Sequence, residues 1–184
     1  MDTLRQIHRF SEVAEIHRVV ERFGFGVVYT KVTPGPLDVE AFEIRVDGCL
    51  VYRERFGCQI VVHGASSPHG YGIMVLTSGQ ALFFGTEVSP DKVILFPPGC
   101  AIDAVAFPDA STTHFFLPQE RVVAAAEGLN VDLIRSPRVL VVSPGIDRLH
   151  HLQAIRDRVD AIVESRDPTA WPEAERELVE TFLG

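Results

Sequence analysis

The 184-residue sequence predicts a mainly β domain, a barrel or jelly roll of short strands, followed by an antiparallel helical hairpin. Three observations carry this. Residues 27–117 hold apolar, β-branched and aromatic runs broken by Gly, Pro, Asp and Ser clusters about every ten residues, the pattern of sandwiches and barrels. Asp47-Gly48 sits between two such runs and is the strongest short hairpin signal in a sequence. After residue 144 the apolar residues change to helical spacing.

The elements follow in order. Residues 11–23 form a short helix, with Ser11 as N-cap, Glu12 and Glu15 in the first turn, and Gly24 and Gly26 as breakers. VVYTKV (27–32) ends at Thr33-Pro34-Gly35-Pro36. AFEIRV (41–46) and CLVYRE (49–54) make the hairpin. QIVVH (59–63), YGIMVL (71–76), ALFFG (81–85), KVILF (92–96), AIDAVA (101–106) and THFFL (113–117) are further strands. Pro118 opens a helix, QERVVAAAE, that Gly128 closes, and RVLVVS (138–143) is one more strand. Residues 144–184 form the hairpin of helices, in the same compact unit as the barrel of residues 1–143. Leu149, Leu152, Ile155, Val159 and Ile162 stripe its first helix, and Trp171, Ala174, Leu178 and Phe182 its second. Such stripes pack on the barrel, on each other, or on a second copy of the chain. The near-heptad spacing of the first suits a homodimer interface.

Bulk properties narrow the function. A formal net charge of −8 makes the chain a poor nucleic-acid binder by itself, because phosphate contacts need clustered Lys and Arg. No apolar run approaches the roughly 20 residues that span a bilayer, so no membrane partner is expected. The charged N-terminus lacks the apolar core of a signal peptide, and Cys49, Cys58 and Cys100 have no framework spacing. These features fit a reducing cytoplasm.

Three stretches carry a family resemblance. They are Tyr29-Thr30-Lys31-Val32-Thr33-Pro34-Gly35, the hairpin FEIRVDGCLVYRERF (42–56), and Leu95-Phe96-Pro97-Pro98-Gly99 before a two-strand return. In order and spacing they resemble the N-terminal regulatory domain of the AraC/XylS transcription regulators, in the ethanolamine-operon-regulator branch. Residues 173–183 resemble the helix that precedes the family's DNA-binding module. The resemblance implies a cupin-like barrel that binds a small-molecule effector and a helical hairpin that dimerises. It also implies that promoter DNA is bound only through a downstream helix-turn-helix domain. That domain is absent from this sequence, which ends just after Phe182 and Leu183, where a linker is expected.

The residues themselves give little support to enzymatic chemistry. Cupin enzymes hold metal with a His-x-His pair, a downstream Glu, and a Pro-x-Gly turn followed three residues later by His. Here Pro97-Pro98-Gly99 matches the turn, but Ile102 stands where that His would be. His63 and His69 are six apart across a loop, and the adjacent His150 and His151 point about 100° apart on a helix. No metal, no cofactor and no catalytic residue is expected. There is no G-x-S-x-G elbow and no phosphate-binding glycine loop.

Binding residues are sought on the hairpin. A two-residue turn makes Val46 face Cys49, Ile44 face Val51 and Phe42 face Arg53. That face is taken as the barrel interior, and the face of Ala41, Glu43, Arg45, Leu50, Tyr52 and Glu54 as solvated. Arg53 then either holds an anionic or polar effector group, reaches solvent at the barrel mouth, or pairs with an internal acid such as Asp103. Phe42, Arg53, Tyr71, Phe84 and His114 are the candidate effector-binding residues. His8 and His17 are expected to be solvated helix residues. The expected function is an effector sensor rather than an enzyme. A metal-dependent cupin enzyme and a stand-alone protein-interaction module are the alternatives.

Overall fold

The structure, a computed structural model, describes residues 3–46, 48–130, 132, 133 and 135–143, together with His150, Ala154, Asp157, Glu173 and Arg176. Twelve strands and two helices lie in its continuous part, and the strands form two sheets.

The elements are β1 (Thr3–Phe10), α1 (Val13–Glu21), β2 (Gly26–Lys31), β3 (Val39–Val46), β4 (Cys49–Phe56), β5 (Ile60–Ala65) and β6 (Gly70–Ser78). They continue as β7 (Ala81–Phe83), β8 (Thr86–Val88), β9 (Val93–Phe96), β10 (Ala101–Ala106), β11 (Ala110–Pro118), α2 (Gln119–Leu129) and β12 (Leu140–Val142). The larger sheet runs β1-β3-β4-β11-β6-β9-β12 and the smaller one β2-β5-β10-β7-β8. All these pairings are antiparallel, and several join strands far apart in sequence, such as β4 with β11 and β5 with β10.

Each strand read from the sequence is present. β1 and β8 were not expected. The alternation in TLRQIHRF is obscured by its charges, yet it pairs along its whole length with β3. His8 is therefore a strand residue, bonded to Glu43 at 3.0 Å, and not a solvated helix residue. His17 is corrected too: it is on α1, where its Nε2 accepts the backbone N–H of Tyr29 at 2.6 Å and fastens the helix to the edge of β2.

Helix ends also differ from expectation. Glu12, not Ser11, is the N-cap of α1. The Glu15 carboxylate accepts the backbone N–H groups of Ser11 and Glu12, at 2.8 and 3.1 Å, so the acid reaches back to the orphan donors. Its pKa is lowered accordingly, by the Ser11 backbone first and then that of Glu12. Gly128 does not close α2. The helix continues to Leu129, and Asn130 caps it in the left-handed region at φ 54°, a conformation Asn tolerates.

The larger sheet is buried on both faces, and this decides the site. One core lies between the sheets, built by Leu50, Tyr52, Met74 and Phe96 of the larger sheet, Tyr29, Ile60 and Phe83 of the smaller, and Ile16, Val19 and Val20 of α1. A second core lies on the other face, where Ile44, Val51, Ile73 and Phe115 pack under Val122 and Ala126 of α2. The hairpin register is as expected, with Phe42 opposite Arg53, but the face assignment is inverted. Glu43, Leu50, Tyr52 and Glu54 are buried rather than solvated, and it is this face that looks between the sheets. With α2 covering the opposite face, both rows of the hairpin are apolar enough to be buried, so alternation does not say which is inward.

The helical hairpin of residues 144–184 lies outside the continuous described part. Leu149, Leu152, Ile155, Val159 and Ile162 are all outside the described residues.

Candidate functional site

Two adjoining cavities occupy the space between the sheets, of about 80 and 50 Å³. Phe25, Tyr29, Glu54, Phe96 and His114 line both. The larger sheet supplies the acid and the imidazole. Antiparallel pairing of β4 with β11 sets Tyr52 opposite His114 and Glu54 opposite Thr112. Those four side chains thus form a rectangle on one sheet face.

The smaller sheet closes the rectangle from across the core. Tyr29 on β2 directs its hydroxyl to Glu54 Oε1 at 3.4 Å. His114 Nε2 lies 3.5 Å from Glu54 Oε2 and 3.0 Å from Thr112 Oγ1. The rings of Tyr52 and Phe96 flank His114, each 6.2 Å from it between centroids. The Glu54 side chain is only 4% exposed. Tyr52 is close enough to Glu54 to feel its charge, though its buried hydroxyl makes no hydrogen bond of good geometry. Burial, and after it the nearby Glu54, holds the Tyr29 and Tyr52 phenols well above their usual titration range. Both remain neutral, and both keep a proton to donate.

Of the five candidate binding residues, His114 alone lies in this site. Phe42 and Arg53 are on the opposite face of the sheet, beside the second core, where Arg53 Nε donates to Thr113 Oγ1 at 3.3 Å. Asp103 is no internal partner for Arg53, since it points outward from β10 and meets His63 at 3.5 Å. Tyr71 is buried against α2. Phe84 is in the β7–β8 turn at φ 48°, exposed, with the Arg138 guanidinium 5.7 Å from its ring centroid. Glu54, Tyr29 and Tyr52 are the polar groups that sequence reasoning missed. Glu54 sits in an alternating row with acidic and basic residues and therefore reads as surface; no local signal marks it as interior.

A larger open groove, about 1,120 Å³, runs beside α2 on the far face of the larger sheet. Its charged side chains Glu127, Asp132 and Arg135 are exposed. Solvent screens such groups, so their selectivity for a ligand is small beside that of a buried acid. Ile102 faces the interior cavity from β10, an apolar group three residues beyond the Pro97-Pro98-Gly99 turn. Among the described residues no three His, Cys, Asp or Glu side chains converge to hold a metal ion. Among them, too, no helix is long and apolar enough to cross a membrane.

The fold is similar to that of a solved AraC-like activator. The solved structure of the AraC-like transcriptional activator CuxR matches 98% of this chain and 69% of its own, with a TM-score of 0.67 at 11% sequence identity. A cupin-2 domain from Rhodospirillum rubrum aligns with 56% of this chain at a TM-score of 0.32 and 14% identity. No protein-family model matches the sequence, and no curated protein matches it significantly.

Proposed function

We propose that this chain is the ligand-sensing and dimerisation domain of an AraC-type transcription regulator, a binding module and not an enzyme. The observation that carries the reading is the extent of the fold likeness. Nearly all of this chain aligns with one AraC-like activator, and part of that activator's chain is left over. A separate segment of that kind is what an acidic chain needs in order to reach promoter DNA. The motifs at 29–35, 42–56 and 95–99 favour the ethanolamine-operon-regulator branch. Cys49, Cys58 and Cys100 are buried and make no disulfide among the described residues, which favours the cytoplasm.

The effector sits between the sheets, against Glu54, Tyr29 and His114. β11 carries His114 and runs directly into α2. A ligand that repositions His114 therefore biases the packing of α2, and with it the C-terminal region. Effector binding shifts the population of arrangements that a DNA-binding domain would read. Leu149, Leu152, Ile155, Val159 and Ile162 form the seam between two copies.

Native mass spectrometry and sedimentation velocity test this. The chain should be a dimer and should retain or take up a small organic molecule. Ile155→Asp should weaken the dimer by placing an unpaired charge in the seam. A chain that is monomeric at micromolar concentration and takes up no small molecule overturns the proposal.

A further inference from the structure

Three open spaces lie in series. The first is an outer groove of about 460 Å³ at the end of α1, with Phe23, Arg45, Leu50 and Phe116 in its wall. Phe23, Leu50 and Phe116 also line the interior cavity of about 50 Å³, so these three side chains form the partition between groove and interior. The cavity of about 80 Å³ lies beyond, and shares Tyr29, Glu54 and His114 with its neighbour. Two members of the partition are fixed. Leu50 is on β4 and Phe116 on β11, inner strands of the larger sheet that are paired on both sides. Phe23 is on no strand. It is in the turn between α1 and β2, beside Gly24 at φ +78°. Its side chain is half-buried and is held from both sides. Inside, its ring meets Tyr52 edge-on, 5.7 Å between centroids. Outside, the Arg45 guanidinium lies 4.5 Å from its ring centroid. Arg45 is in turn held at 2.6 Å by the buried Glu43, which also lies 3.6 Å from Arg22, the residue before Phe23.

We propose that Phe23 is the gate through which the effector enters and leaves the interior, and that Arg45 is its latch. Moving Leu50 or Phe116 aside disturbs the backbone ladder of a core strand, whereas moving Phe23 costs its contacts with Arg45 and Tyr52. A cation over an exposed ring shifts an equilibrium only about two- to fivefold, which suits a latch that opens without other help. Glu43 is a positioning residue here: it holds Arg45 over the ring and draws Arg22 to the same place. The inference rests on the sensor reading for what passes the gate. The gate itself is a property of the chain without effector.

Thiol labelling tests the gate with no effector present. Met74 lines the inner cavity, beyond the partition, and Met74→Cys places a thiol there. The reagent is methyl methanethiosulfonate, which is small and uncharged. Peptide mass mapping separates the introduced thiol from Cys49, Cys58 and Cys100. Cys58 and Cys100 are buried in the core between the sheets but line neither the cavities nor the groove, so they report any general opening. Arg45→Gln should speed labelling at position 74 about two- to fivefold, the loss of one exposed cation–ring contact. Phe23→Ala should speed it further, with the rates at Cys58 and Cys100 unchanged in both. Should Met74→Cys not fold, Thr112→Cys puts a thiol in the same cavity. An unchanged rate at the introduced thiol in either gate variant overturns the proposal. So does a parallel rise at Cys58 and Cys100, since the whole core would then be opening. Both of those results leave the sensor reading standing, whereas a chain that takes up no small molecule overturns that reading and leaves the labelling rates as they are.

Discussion

The Tyr29 hydroxyl on β2 reaches across the core to Glu54 on β4, 3.4 Å away, and so joins the two sheets through a buried acid. Tyr29→Phe removes this bond and leaves Glu54 with one donor fewer at little change in packing volume. The expected loss is about 1 kcal/mol, the net value of a buried hydrogen bond. Urea unfolding should show a lower midpoint at constant m-value. An unchanged midpoint would mean that the contact contributes nothing to holding the sheets together.

Alkaline titration should expose the same burial. The chain's three tyrosines, Tyr29, Tyr52 and Tyr71, all have pKa values raised above the ordinary one, by burial first. The sign follows by linkage. A phenol whose folded pKa lies above its unfolded value of about 10 contributes stability that is complete below pH ~10 and is lost as pH rises beyond it. Absorbance at 295 nm should therefore show little tyrosinate in the folded protein near pH 10. The bulk should appear together with the loss of tertiary structure. A smooth titration of all three phenols near pH 10, with the fold intact, would contradict the burial.

Glu43 should be worth more than a surface acid. Its side chain is fully buried and meets Arg45 at 2.6 Å, His8 at 3.0 Å and Arg22 at 3.6 Å, tying β1 and the end of α1 to β3. Arg22 and Arg45 are partly exposed, so solvent screening reduces the charge contribution. Glu43→Gln should cost about 1–2 kcal/mol. Amide exchange should accelerate first in β1, the edge strand. Unaltered β1 protection would show that backbone pairing alone secures that strand.

Two glycines on paired strands should respond oppositely to alanine. Gly64 on β5 has φ +142°, and a Cβ there would lie 2.0 Å from the Gly26 carbonyl oxygen on β2. Gly64→Ala should cost about 2 kcal/mol or more through strain and displacement of β2. A Cβ on Gly26 meets nothing within 4 Å, so Gly26→Ala should be close to neutral. Thermal melts of the two variants compare them directly. Similar losses in both would show that β2 is not pinned against Gly64.

Much of the β architecture is legible in the sequence because its signals are local. Asp47-Gly48 brings Val46 opposite Cys49, and the pairing then runs back to Phe42 and Arg53 as a two-residue turn requires. Gly, Pro and Asp clusters bound the remaining runs, and Pro118 marks the change from β11 to α2. The site was far less legible. His114 was found as an isolated polar residue in an apolar strand. Glu54 reads as solvated because Glu43 and Arg45 share its face of the hairpin, and charged members are the usual mark of a surface row. β1 was missed for the same reason, since Arg5, His8 and Arg9 hide its alternation.

The sequence alone thus determines where strands and turns fall and which hairpin residues stand opposite one another, since backbone preferences and turn geometry act over a few residues. Only the tertiary structure decides which face of the hairpin looks inward. α2 covers the Phe42–Arg53 face while the smaller sheet covers the Glu54 face, so both rows are buried and periodicity cannot rank them. What makes Glu54 an interior acid is the approach of Tyr29 from another sheet and His114 from a strand some sixty residues away. Long-range packing removes the water around it, and no residue near Glu54 in the chain carries that information.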